Sequence, residues 1–186
     1  MADTLPPHYF YFFWIGEPVL TLAGAAYAAF WPETYARDLL PQGIENFTNI
    51  VGNTIRGKEL VGTLASCYFL IALISLSFFP VFKWQVKDMV LQERLVRALL
   101  VPLALADVTH ITMSLLPLPA ELRWSWTSWT QLIHGNVDIV VFALTLRLLC
   151  IFGIGRETAA SLAAKDKPVS SRTRGGRPKK SISKDE

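Results

Sequence analysis

The chain has 186 residues, 52% of them hydrophobic and 18% charged, with a formal net charge of +3. Ordinary soluble domains carry about 25% charged residues, and the mean hydropathy here is +0.34. Nine of the 18 Lys and Arg fall in residues 156–186, so the rest is more apolar still; this excludes a common charge-coated soluble domain.

Segment length separates a greasy core from membrane spans, because crossing the hydrocarbon takes about 20 mostly apolar residues. Met1 to His8 holds no Lys or Arg and precedes an apolar run too long for a signal peptide, so residues 1–8 read as a short N-terminus before a retained anchor. The first span is expected over about 9–31, with Glu17-Pro18 inside it and a half rich in Ala and Gly that suits close helix packing. A polar connection follows, then an uncharged second span over about 60–79, ended by Pro80. The third, about 95–116, contains Pro102, Asp107 and His110. Three Trp (Trp124, Trp126, Trp129) precede the fourth, about 136–154, which holds Asp138 and Arg147. Aromatics at the span ends (Tyr9, Tyr11, Trp14, Trp31 and these Trp) match an interfacial belt. The expected fold is therefore all-α: a four-span bundle over residues 9–155 with a disordered basic tail over 156–186, too polar to build a core. Cys67 and Cys150 lie in apolar runs and read as free thiols.

Four spans put both termini on one side. That side gathers Lys83, Lys87, Arg94 and the nine tail residues, against Arg37, Arg56, Lys58 and Arg123 on the other. The positive-inside rule makes the first side cytoplasmic. Asn46-Phe47-Thr48 is a glycosylation sequon on the lumenal side, which makes Asn46 a candidate acceptor and agrees with that topology. The expected location is the endoplasmic reticulum or another endomembrane.

Ionisable side chains at membrane depth cost about 2.5–3.5 kcal/mol each on insertion scales and mark functional sites by default. Glu17 lies about 12 Å into the first span. Asp107 and His110, three apart, share a helix face that Ser114 continues, while His134 and Asp138 are four apart. Glu17, Asp107, His110, Asp138 and Ser114 are thus expected to line a ligand pocket opening to the lumen. A carboxylate beside an imidazole suits acid–base catalysis, so Asp107 and His110 are the candidate proton-transfer pair and Glu17 the candidate stabiliser of developing positive charge. Pro18 lacks an N–H and frees the carbonyl of Trp14, so the first span is expected to kink there. Arg147 stands nearly opposite Asp138 on an ideal helix and is expected outside the pocket, snorkelling to the cytoplasm or pairing with another helix. Each residue also has a structural reading: Glu17 as a packing hydrogen bond, Asp107 with His110 as a satisfied pair, Asp138 as a wet interfacial group.

The histidines and cysteines have no metal-like spacing, so neither metal nor cofactor is expected. There is no nucleophile elbow and no phosphate-binding glycine loop. No span is polar along its whole length, which disfavours a channel. The tail run Arg172 to Lys180 looks like a nucleic-acid-binding hook, but 20 to 30 residues after a span it reads as a segment drawn to anionic lipid headgroups, not to nucleic acid.

The Glu17-Pro18 pair, Pro32-x-x-Tyr35, Asp107-x-x-His110 and Arg147 together resemble an uncharacterised family of small fungal membrane proteins over about residues 8–155. That resemblance brings no activity with it. In architecture, and in Glu17, Asp107 and His110, the chain is also similar to the emopamil-binding superfamily of sterol isomerases and sterol-binding proteins. The similarity implies a lipid-accessible cavity, yet the acidic residue usual in that superfamily's second span is missing; Glu59 lies just outside it. Three functions stay open: a polar intramembrane pocket for a lipid-like or sterol-like molecule, an isomerase or cyclase using the acid–base residues, and a non-catalytic membrane adaptor.

Overall fold

The computed structural model describes residues 4–41 and 52–158, with 161 and 164. Among these, every regular element is helical. Four helices are long and apolar enough to cross a membrane: α1 (Pro7–Phe30), α3 (Ile55–Gln85), α4 (Met89–Leu115) and α6 (Gln131–Ile151). Two short helices, α2 (Pro32–Asp38) and α5 (Ala120–Arg123), lie in the connections. Asn46 and the tail run Arg172 to Lys180 fall outside the described residues.

The helix ends differ from the hydropathy boundaries because capping groups, not hydrocarbon thickness, decide them. The Thr54 hydroxyl accepts the Gly57 N–H (3.0 Å) and starts α3 before the apolar run. Asp88 accepts the N–H groups of Val90 and Leu91 (2.8 and 3.3 Å) and starts α4. Thr130 accepts from Ile133 (3.3 Å) and starts α6. These side chains satisfy donors that have no partner within the first turn. At its other end α6 closes with Gly153 N–H to the Cys150 carbonyl (3.1 Å) and Ile154 N–H to the Leu149 carbonyl (2.9 Å). That pair needs the left-handed conformation Gly153 adopts, at φ 78°.

Three spans contain a π turn: Phe12–Gly16, Val81–Gln85 and Gly135–Ile139. The first precedes Pro18, where the Glu17 N–H bonds to the Phe12 carbonyl, so the missing proline donor is absorbed by a wider turn. α1 packs along α3, α4 packs along α6, and α2 crosses the distal end against α3 and the start of α6. The faces turned outward are apolar, among them Val19, Leu20, Phe69, Leu70, Leu105, Val108 and Phe142. That inversion of the soluble rule suits hydrocarbon as the solvent.

The end holding the N-terminus is knitted tightly. Leu5, Tyr9, Phe10, Phe13, Phe79, Phe82, Val96, Leu100 and Cys150 form its apolar core. Around them, Lys83 donates to the Leu5 carbonyl (2.6 Å), Tyr9 donates to the Ile154 carbonyl (2.7 Å) and Gln92 donates to the Phe82 carbonyl (2.6 Å). Arg156, its side chain fully buried, reaches Glu93 (3.2 Å), the Cys150 carbonyl (2.6 Å) and the Thr4 carbonyl (3.1 Å).

Candidate functional site

Arg147 projects from α6 into the bundle and is 3% exposed. One terminal nitrogen, Nη2, donates to Glu17 Oε1 of α1, and the other, Nη1, donates to Asp107 Oδ2 of α4. Three of the four spans thus meet at one guanidinium, whose planar fork suits two carboxylates at once. Its remaining nitrogen, Nε, is buried with no acceptor among the described residues. A buried donor left unmade costs about 1–3 kcal/mol, and the triad carries two acids for one base.

The structure corrects the expected grouping here. Arg147 was expected outside the pocket, snorkelling to the cytoplasm or pairing with another helix; it pairs with two, α1 and α4, and so joins the residues expected to line the pocket. Long helical side chains lean towards the N-terminus of their own helix, which carries the Arg147 head along α6 into the bundle, away from the nearer surface. Asp107 was expected to face His110; instead its carboxylate is taken by Arg147, and no hydrogen bond joins Asp107 to His110 among the described residues.

His110 sits one turn further along α4. Its ring stands edge-on to Tyr68 of α3, 6.3 Å between centroids, and its side chain lies against Asn136 of α6. Ser114 follows a further turn on, partly buried. Asp138 is separated from all of these. It accepts at the surface from Trp126 (3.3 Å) and lies 2.9 Å from His134 Nδ1, the pair the i,i+4 spacing implied. Trp126 Nε1 also lies 2.9 Å from His134 Nδ1, a nitrogen that either accepts from Trp126 or, when protonated, donates to Asp138.

A second buried group without a partner among the described residues lies at the distal end. Tyr35 of α2 is 1% exposed among Ala28, Val61 and Ala65, and its hydroxyl has no hydrogen-bond partner among the described residues. It faces the Tyr68 hydroxyl across a contact too loose to be a hydrogen bond. Burial, and after it the Tyr68 hydroxyl, pushes the Tyr35 phenol above its ordinary value of 10.0. Tyr35 was visible in the sequence only as part of Pro32-x-x-Tyr35; no local signal showed that it would turn inward. Tyr68 and Asn136 gave no signal at all.

One shallow groove runs beside the triad on the lipid side, lined by Val101, Ala104, Leu105 and Val108 of α4 and Leu144, Leu148 and Ile151 of α6. It contains none of the expected site residues. No group of three or more His, Cys, Asp or Glu is placed to hold a metal ion among the described residues.

Four apolar helices around an arginine shared by two carboxylates define an integral, multi-pass membrane protein with an ionic interior. The chain belongs to the family described as a domain of unknown function, DUF7704, which matches residues 2–157. No curated protein matches it, and no solved structure matches it.

Proposed function

We propose that this membrane protein binds the oxygen-bearing head of a neutral, lipid-like or sterol-like molecule at the Glu17–Asp107–Arg147 triad, in an endomembrane with both chain termini cytoplasmic. The observation that carries this reading is the Arg147 Nε–H, buried beside two anchored arms and lacking an acceptor among the described residues. A hydroxyl or carbonyl oxygen would complete it. An anionic head is disfavoured, because two carboxylates face one guanidinium; a cationic head offers Nε nothing to donate to. Isomerase or cyclase chemistry is less well supported, because its proton-transfer pair needs Asp107 beside His110, and Asp107 is held by Arg147. The basic tail adds attraction to anionic headgroups at the cytoplasmic surface.

The test extracts the protein with its surrounding membrane and compares bound lipids by mass spectrometry. Arg147→Lys keeps a cation between the carboxylates but has no Nε–H. The expected result is one neutral lipid enriched on the wild type and reduced about tenfold on Arg147→Lys, the scale of one buried hydrogen bond. Equal lipid content in both proteins, or no enrichment on the wild type, rejects binding and leaves a non-catalytic adaptor whose triad only locks the bundle.

A further inference from the structure

The groove between α4 and α6 is lined by apolar side chains only and opens to the lipid side. The two helices run in opposite directions, so Val101 and Ile151 mark one end of it and Val108 and Leu144 the other. By helical spacing, Arg94 and Arg97 share the face of α4 that carries Val101, Leu105 and Val108. Both arginines are exposed, and they stand just before the apolar run that begins at Ala98. Arg97 Nη2 lies 2.9 Å from Glu93, an acid that Arg156 also reaches. Arg94 has no acid paired with it among the described residues. Two exposed guanidiniums thus stand at the mouth of an apolar groove. From Arg97 to Val108 the helix rises about 16 Å, and one leaflet's hydrocarbon is half of about 30 Å.

We propose that this face binds one anionic glycerophospholipid of the leaflet on the N-terminal side, with its phosphate between Arg94 and Arg97 and one acyl chain in the groove. Residues three apart on a helix are neighbours, and two guanidinium forks suit the oxygens of one phosphate. The groove walls offer an acyl chain dispersion contacts and no polar group to leave unpaired. A head with net negative charge is selected, because a choline would set a cation beside the two arginines. A second copy of the chain fits this face less well. Copies in one membrane share an orientation, so a two-fold pair through this face would set Arg94 and Arg97 against their own counterparts. The groove contains no member of the triad, so this site goes beyond neutral-lipid binding there, and each reading stands or falls alone.

The experiment uses the full-length protein in detergent and two probes with identical acyl chains, phosphatidylglycerol and phosphatidylcholine, each with a photoactivatable group in one chain. Saturation of cross-linking gives an apparent Kd for each, and peptide mapping gives the residues modified. The wild type is expected to bind phosphatidylglycerol about tenfold more tightly, the scale of a hydrogen bond to a charged group. Its cross-links are expected within residues 101–108 and 144–151. The double variant Arg94→Gln, Arg97→Gln is expected to abolish the preference; its basic tail is intact, so a preference made by the tail would survive. Val101→Trp fills the groove from an exposed apolar position and is expected to end saturable cross-linking by both probes. A wild type without preference, cross-links spread evenly over all four spans, or a preference that survives the double variant overturns the site. So does unchanged binding to Val101→Trp, which decides the matter by itself if the arginine variant does not fold.

Discussion

Two buried arginines, Arg147 within the membrane-spanning bundle and Arg156 at the end holding the N-terminus, solve the same physical problem differently. All three Arg156 nitrogens find acceptors: Glu93 and the carbonyls of Cys150 and Thr4. Glu93 in turn is shared with Arg97 at 2.9 Å, so at least two bases serve this acid among the described residues. Among the described residues Arg147 reverses that ratio, with two acids on one base and one nitrogen unpartnered. The satisfied arginine closes a protein end; the incompletely satisfied one lies inside the bundle. The lesson is that burial and charge alone did not distinguish the two arginines. The inventory of hydrogen bonds around each guanidinium did.

The comparison breaks most sharply at Arg147. Arg147→Gln leaves two carboxylates buried against each other, and losing one partner of a buried ionic group costs about 3–5 kcal/mol. The expected result is a large fall in the thermal midpoint in detergent, followed by size-exclusion chromatography. Much of it should return in the triple variant Glu17→Gln, Asp107→Asn, Arg147→Gln, which carries no charge there. A single variant as stable as the wild type would show the triad to be loosely held.

Arg156→Ala comes next. Hydrogen bonds to charged groups contribute about 1.5–3 kcal/mol, so the midpoint should drop clearly while lipid enrichment persists. Loss of the lipid together with the midpoint would erase the distinction between the two arginines. Asp88→Ala removes a helix cap at the same end as Arg156 and is expected to cost about 1 kcal/mol, measured in the same assay.

Tyr35→Phe should have the smallest effect on stability near neutral pH. Its pH dependence has a definite sign. The folded phenol titrates above its ordinary 10.0, so its contribution is complete below that value and is lost as pH rises past it, when the unfolded phenol ionises first. Between about pH 8 and about pH 11 the wild-type midpoint should therefore fall more than that of Tyr35→Phe. Parallel decline in both proteins would mean that the Tyr35 hydroxyl reaches water.

Much of this molecule is written locally. Runs such as Leu60 to Phe79 are long and uncharged, so water rejects them wherever the rest of the chain goes, and the four-span all-α bundle follows. The His134–Asp138 pair follows too, because i,i+4 neighbours meet on any helix. Glu17, Asp107 and His110 were legible as costly interior groups for the same reason: depth depends on position along a span. Their partners were not. Which acid meets Arg147 depends on how α1, α4 and α6 rotate against one another, and π turns near Pro18 and over Gly135–Ile139 shift those rotations away from the ideal helix. Tyr35 turns inward only because α2 folds across the distal end. Hydrophobicity along the chain determined what enters the membrane; packing between distant helices alone decided which buried polar groups are satisfied and which are left open.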